Sequence, residues 1–447
     1  MRSRPVPPPD HRGTDREILR LAVPAFLALV AEPLFLLADA AVIGHLGTPE
    51  LAGLGIAGAI LQTAVGLCVF LAYGTTASVA RRVGAGDLRA ALAQGVDGLW
   101  LAVLIGALTT VVGVLSAPAL VGAFGAGPEV AGHATSYLRI AFLGTTPLLV
   151  MLAATGVLRG LQDTRTPLVA AVGGNLLNVA LNVTLVYGLG PLPALGMPGA
   201  AVGSVVAQML AAAYLLAVVT RAARREGAPL GPDLPGIRVA AHAAVALVVR
   251  TLTLRAALLV TTYAVTQTGS DADLAAHQLA MTLWTFLAFA LDAVAIAAQA
   301  ITGRFLGAGD APGTRRVTQR MLRWGVVSGV VTGVALALAS PVLGHLFTRD
   351  ADVVDRLGTV LLVAALAQPV AGVVFVLDGV LIGAGDGTYL AWAGLLVLVV
   401  YTPLALLAPT LTWLWVAFAT GFMLSRGAVL LHRARGEAWL VTGASLR

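Results

Sequence analysis

The chain has 447 residues, of which 58% are hydrophobic and only 11% are charged. Its mean hydropathy of +0.90 lies far outside the balance of soluble globular proteins, so we expect lipid to surround most of it. All 28 basic residues are arginine, and most cluster between long apolar stretches, which indicates membrane topology and excludes a nucleic-acid interpretation. The chain has a single cysteine, Cys68, which lies in an apolar run, so a framework of disulfide bonds within the chain is excluded.

Twelve stretches of roughly 20 apolar residues, the length of a helix that crosses a bilayer, follow the N-terminal segment. They begin near Ile18, Leu51, Arg89, Val130, Pro167, Met197, Ile237, Asp273, Val317, Val353, Tyr389 and Thr412. Arginine-rich loops alternate with loops that hold almost no arginine, and arginine-rich loops face the cytoplasm. We therefore predict an all-α, multi-pass protein of the cell (cytoplasmic) membrane, with twelve transmembrane helices and both termini in the cytoplasm.

The two halves of the chain repeat at a constant offset. Gly84-Ala-Gly-Asp87 recurs as Gly307-Ala-Gly-Asp310, which gives 310 − 87 = 223, and Gly160 recurs as Gly383. Six spans in each copy give both copies the same orientation, so we predict two pseudo-symmetric six-helix bundles with a cavity between them. The predicted units are a disordered cytoplasmic tail (1–15), an N-lobe with spans 1–6 (16–222), a cytoplasmic linker (223–236), a C-lobe with spans 7–12 (237–434) and a cytoplasmic C-terminal tail (435–447).

The first span carries two carboxylates, Glu32 and Asp39, on one helix face and about 10 Å apart along the axis. Such a stripe suits binding of a proton or a sodium ion, and competition with a cationic substrate would give antiport. The alternatives are a water-exposed Asp39 at the membrane surface and a structural Glu32 beside Pro33. Pro24 and Pro33 remove helical hydrogen bonds and predict a bend, which is either a switch or a static kink.

The fifth span carries Asn175, Asn178 and Asn182 on one face of an otherwise apolar helix. This polar stripe predicts the wall of a hydrophilic cavity. The alternative is hydrogen bonding between neighbouring helices.

In the second half, Arg250 and Arg255 lie in the seventh span, Asp292 in the eighth and Asp378 in the tenth. An arginine–aspartate pair between these spans is either a structural ion pair or a substrate contact, and Arg255 alternatively extends to the membrane surface. The chain has no phosphate-binding Gly-Lys-Ser/Thr loop, so we expect an ion gradient, and not ATP hydrolysis by this chain, to supply the energy.

These residues lie in motifs that resemble those of the multidrug and toxic compound extrusion (MATE) family, in particular its DinF-like branch. The motifs are Ala38–Gly47, Gly174–Asn178, Arg250–Leu252, Leu291-Asp292 and Leu377–Ala384. The resemblance covers nearly the whole chain and implies two lobes in a V shape and antiport of drugs against protons or sodium. It also implies that protonation of Asp39 accompanies bending at Pro24 and that Asn178 lines the cavity.

Two positions depart from the family pattern. Asn182 stands where relatives often carry an aspartate, and Gln299 stands where a glutamate is frequent. Fewer acids place the ion coupling on Asp39 and Glu32 and favour protons over sodium.

We therefore predict a secondary active antiporter that exports amphipathic, often cationic, drugs and other xenobiotics in exchange for protons, with sodium as the alternative ion. We expect no cofactor, no metal site and no nucleic-acid partner, and a protein that works as a monomer in the bilayer. The alternative is a flippase or exporter of a lipid-linked saccharide or cell-wall precursor, which should need cavity arginines; the sequence offers Arg139, Arg250 and Arg255. A membrane enzyme would need a clustered catalytic constellation, and the sequence shows none.

Overall fold

A computed structural model describes residues 11–188 and 193–444, and every regular element in these ranges is a helix. The helices are α1 (His11–Gly44), α2 (Thr48–Leu67), α3 (Phe70–Gly84), α4 (Leu88–Gly122), α5 (Pro128–Leu143), α6 (Thr145–Gly160), α7 (Arg165–Tyr187), α8 (Met197–Arg225), α9 (Leu234–Thr268), α10 (Asp271–Gly307), α11 (Ala311–Phe347), α12 (Ala351–Gly383), α13 (Gly387–Leu406), α14 (Leu411–Ala417) and α15 (Ser425–Arg435). A π-helical segment, Phe418–Leu424, joins α14 to α15.

The number of membrane spans agrees with the sequence. In the described ranges, eleven helical spans are long and apolar enough to cross a bilayer, and α5 with α6 makes a twelfth that is bent by 46°. The bend lies at Gly144, where an added Cβ would come within 3.2 Å of Val205 on α8, and Pro147 in the first turn of α6 has no N–H donor. The prediction of twelve transmembrane helices is confirmed.

Parts of both terminal segments, which the sequence predicts as tails, pack against the helical bundle. Residues 1–10 and 445–447 lie outside the described residues, but α1 already begins at His11. Asp15 accepts hydrogen bonds from Arg320 (Nε, 2.6 Å) and from the Trp324 indole (2.8 Å) on α11. After α15, Trp439 is only 2% exposed. Asp15 and Trp439 therefore fix parts of the predicted tails to the bundle, which composition alone did not predict.

The loop between the halves is shorter than the predicted linker. Helix α8 continues to Arg225 and α9 begins at Leu234, so residues 223–225 and 234–236 are helical. The remaining segment is fixed to the first half, because the Trp100 indole on α4 donates to the Leu230 carbonyl at 3.0 Å.

The repeated Gly-Ala-Gly-Asp motif forms the same turn in both halves. Asp87 and Asp310 each cap the following helix by accepting a hydrogen bond from the amide three residues later, at 2.8 and 2.7 Å. The glycine before each aspartate has φ of +80° at Gly86 and +78° at Gly309, a backbone conformation that favours glycine. The motif is therefore a structural helix-to-helix turn.

Glycines allow the two halves to meet at the arginine-rich ends of α3 and α10. Gly84 lies against the backbone carbonyl of Arg304, and Gly307 lies against that of Arg81, with no room for a side chain at either glycine. Glu17 on α1 also pairs with Arg304 at 2.7 Å. The two halves are thus in direct backbone contact on the arginine-rich side of the bundle.

Candidate functional site

The first candidate site is a buried carboxylate between α1 and α7. Asp39 is 4% exposed, and its Oδ1 accepts a hydrogen bond from the side-chain amide of Asn182 on α7. No arginine or histidine of the described residues lies within ion-pair distance of Asp39. Asp39 is therefore a buried acid whose contact in the structure is a neutral amide.

The asparagine stripe on α7 faces its neighbouring helices. Asn175 donates to the Ala31 carbonyl of α1 at 3.0 Å, and Asn178 donates to the Ser204 hydroxyl of α8 at 2.9 Å. Among the described residues, the buried amide oxygens of Asn178 and Asn182 have no hydrogen-bond partner. The stripe therefore joins three helices and leaves two amide oxygens that can accept a hydrogen bond.

Two further residues of this site are not apparent in the sequence. Tyr137 on α5 is 5% exposed and lies near Asp39 and Ser204. A single tyrosine and a single serine in apolar spans carry no pattern. Only the packing of α5 and α8 against α7 identifies them.

The other candidates of the first span lie apart from this pair. Glu32 is exposed and forms no hydrogen bond or ion pair with a described residue. Helix α1 continues without a break through Pro24 and Pro33. Pro24 leaves the Arg20 carbonyl without its helical donor, and the Thr164 hydroxyl donates to that carbonyl at 3.4 Å. The structure thus shows one continuous helix and does not bring Glu32 together with Asp39.

The second candidate site is a buried ion triad in the second half. Asp378 on α12 accepts hydrogen bonds on Oδ2 from Arg250 of α9 and from Arg426 of α15, the latter at 2.5 Å. The three side chains are between 9% and 11% exposed. Arg426 was missed, although an arginine inside an apolar span is a signal that the sequence contains. Within the described ranges, Asp378 Oδ1 and Arg250 Nε remain without a partner.

The first half of the chain contributes to the surroundings of this triad. The guanidinium carbon of Arg250 lies 5.8 Å from the centroid of the Tyr73 ring on α3. Asp292 on α10 interacts electrostatically with Arg250 and with Arg159 on α6. The region therefore holds three arginines and two aspartates, namely Arg159, Arg250, Arg426, Asp292 and Asp378. Their formal charges sum to one positive charge.

The two departures from the family pattern are both buried polar contacts. Gln299 on α10 donates to the Tyr73 carbonyl at 2.5 Å and so joins the two halves. Arg255 of the seventh span lies outside the triad, since its guanidinium borders Gly66 on α2.

In the part of the chain that the structure describes, no group of three or more histidine, cysteine, aspartate or glutamate side chains could hold a metal ion.

A family model, MatE, matches residues 24–184 and 246–407. The two matched segments end at equivalent positions of the internal repeat, since 184 + 223 = 407. The chain belongs to the MATE family. It is a membrane transporter of that family, and the MATE resemblance of its motifs is confirmed.

Relatives within the MATE family cover most of the chain. Protein DETOXIFICATION 44, chloroplastic, of Arabidopsis thaliana is 31% identical over 396 residues, which is 85% of this chain and 74% of that protein. DNA damage-inducible protein F of Escherichia coli (strain K12) is 30% identical over 430 residues, 94% of this chain and 91% of that protein. The second relative is DinF, which agrees with the DinF-like character of the motifs.

Solved structures show the same fold at lower identity. The Vibrio cholerae MATE transporter VcmN in its bent form has a TM-score of 0.86 at 20% identity and covers 96% of this chain and 99% of that one. A MOP superfamily transporter from Pyrococcus furiosus has a TM-score of 0.85 at 20% identity, with 95% and 96% covered. The all-α fold of two pseudo-symmetric bundles is therefore that of MATE transporters.

Proposed function

We propose that this MATE protein is a secondary antiporter that exports amphipathic, often cationic, small molecules in exchange for protons, with sodium as the alternative ion. It acts in the cell membrane as a monomer, with both termini in the cytoplasm. The observation that supports this function is the environment of Asp39, a buried carboxylate that contacts an amide and no fixed cation.

The contrast between Asp39 and Asp378 separates their proposed roles. Two guanidinium groups compensate the charge of Asp378, so this acid has no need of a mobile ion. Asp39 has no such compensation among the described residues. Because an uncompensated charge is costly in a membrane interior, Asp39 must bind a proton, a metal cation or a cationic substrate, and competition among these gives antiport.

The direct contact of α3 and α10 indicates which conformational state of the transport cycle the structure represents. If the arginine-rich side is cytoplasmic, as the positive-inside rule requires, the structure is closed towards the cytoplasm. Alternating access then requires the predicted lobes, residues 16–222 and 237–434, to separate on that side. We assign Pro24 the role of bending α1 when Asp39 is protonated, with Glu32 as an additional acid on the same helix.

The decisive experiment measures ethidium efflux from proteoliposomes, first under an imposed proton gradient and then under a sodium gradient. We expect Asp39→Asn to abolish efflux because the amide cannot bind a proton or a cation. Asp271→Asn, at an exposed helix start, is the matched control and should retain efflux. Normal efflux by a folded Asp39→Asn protein would overturn the proposed role of Asp39.

One observation favours the second candidate, export of a lipid-linked saccharide or cell-wall precursor. Arg250 and Arg426 share Asp378, and Arg159 and Arg250 both interact with Asp292, so three arginines lie in one region, which the sequence-based set of Arg139, Arg250 and Arg255 did not predict. A polyanionic head group would interact with the excess charge of this region. Absence of cation efflux under both gradients, together with flipping of a fluorescent polyprenyl-phosphate saccharide, would favour this function over antiport.

A further inference from the structure

We propose that a groove on the outer surface of the second half binds an anionic phospholipid of the cytoplasmic leaflet. This inference is independent of the proposed transport function, because the groove lies between α11, α12 and α15 and not between the two halves. Its volume is about 540 Å³. Apolar side chains line most of it, including Val326 of α11, Val370 and Val373 of α12, and Leu431 of α15.

The dimensions of the groove match one lipid leaflet. From Leu424 to Arg435 the last helix advances by eleven residues, which is about 16 Å at 1.5 Å per residue. The hydrocarbon core of a bilayer is about 30 Å thick, so one leaflet spans about half of that. Pro369, near the middle of α12, and Arg435, the last residue of α15, both line the groove, as expected if it runs from the middle of the bilayer to its surface. An acyl chain of one leaflet therefore fits along its length.

Small residues create this groove and leave it open to the membrane. Gly427 and Ala428 lie on the side of α15 that lines it, and the position of an added Cβ at Gly427 would be 3.5 Å from Val374. Leu424 is 53% exposed in the protein alone. Because lipid is the surrounding medium at this depth, the groove is accessible to an acyl chain from the side.

Basic side chains stand at the outer end of the groove. His432 and Arg435 line that end, and Arg323 lies one helical turn before Val326 on the same face of α11. None of the three is bonded to an acidic side chain of the described residues. A lipid phosphate accepts hydrogen bonds from guanidinium groups, whereas a cationic drug would be repelled.

Three arginines near the groove are paired with carboxylates. Arg433, on the same helix, donates to both carboxylate oxygens of Asp386, at 2.6 and 3.1 Å. Arg315 pairs with Glu437 at 2.7 Å, and Arg320 pairs with Asp15. Arg323 and Arg435 thus keep no carboxylate partner among the described residues, and their charge complements an anionic head group.

The test is native mass spectrometry of the purified full chain with dioleoyl phosphatidylglycerol or dioleoyl phosphatidylcholine. We expect one phosphatidylglycerol to bind preferentially. Removing Arg323 and Arg435 as R323Q/R435Q should weaken its binding by about fivefold for each arginine. R89Q, at an exposed arginine of the first half, is the matched control and should bind as the wild type does.

A second variant tests the apolar part of the groove. A428W fills it and should abolish phosphatidylglycerol binding while the charges remain. Equal affinity for the two lipids, or unchanged phosphatidylglycerol binding by both R323Q/R435Q and A428W, would overturn the proposal. Displacement of the bound lipid by ethidium would also contradict it, because the groove would then accept cations.

Discussion

Asn182 on α7 donates its side-chain amide to Asp39 on α1, and its own amide oxygen has no partner among the described residues. An asparagine can serve both charge states of the acid. Its N–H₂ group donates to the carboxylate, and its oxygen can accept from the protonated carboxyl after a rotation of the side chain. This pair can therefore hold α1 and α7 together during a proton exchange.

Replacing Asn182 by aspartate tests which ion this site selects. In Asn182→Asp, two carboxylates would lie within contact distance, and hard cations prefer such oxygen ligands. We expect efflux to become stimulated by sodium, measured in proteoliposomes with and without a sodium gradient. Asn175→Asp is the control, because Asn175 faces the Ala31 carbonyl and not Asp39. Sodium stimulation in the control variant alone would refute the proposed geometry.

Removing the acid of the ion triad should destabilise the protein. Asp378→Asn leaves Arg250 and Arg426 buried without a counter-charge, a change that typically costs about 3 to 5 kcal/mol. We expect a lower thermal unfolding midpoint in detergent. Asp386→Asn breaks a partly exposed pair with Arg433 and should cost about 1 kcal/mol or less. If Asp378→Asn unfolded at the wild-type temperature, the triad would not be a structural ion pair.

A methyl group at Gly84 should hinder closure of the arginine-rich side. The added Cβ would overlap the Arg304 carbonyl, so Gly84→Ala should favour the state in which the ends of α3 and α10 are separated. Spin labels on these two ends, read by double electron–electron resonance, should report a longer distance. Gly58→Ala has open space around it and serves as the control. An unchanged distance distribution in Gly84→Ala would contradict this prediction.

The segment after α15 should stabilise the same closed side. The Gly443 amide donates to the Leu306 carbonyl of α10 at 3.0 Å, and its carbonyl accepts from Arg81 of α3 at 3.2 Å. Trp439 anchors this segment in the core. We expect Trp439→Ala to lower the unfolding midpoint, whereas Trp413→Ala, at a site 58% exposed, should have little effect. Equal shifts in the two variants would show that the anchor contributes nothing specific.

Sequence periodicity and charge were sufficient for the parts of the structure that depend on local composition. The twelve spans follow from hydropathy, and the equivalent turns at Asp87 and Asp310 follow from the repeat. The ion pairs of the triad, in contrast, could not be predicted from the sequence. Arg426 is visible as a charge in an apolar span, but its pairing with Asp378 depends on how α12 and α15 pack. The burial of Trp439 depends likewise on distant residues, so the segment was expected to be a free tail.

The reciprocal contact of Gly84 and Gly307 has the form of an isologous interface, in which a surface patch meets its own copy. A single six-helix ancestor with this patch would have paired with itself, and one mutation there would have altered both sides of the contact. A single chain that carries both copies is free of that constraint. Ala80 and its repeat equivalent Gly303 now differ, and an added Cβ at Gly303 would come within 2.9 Å of the Ala80 methyl group. The first half has the methyl group of Ala80, and the second half has a glycine, Gly303, that leaves room for it. Two identical subunits would carry the same residue at both positions.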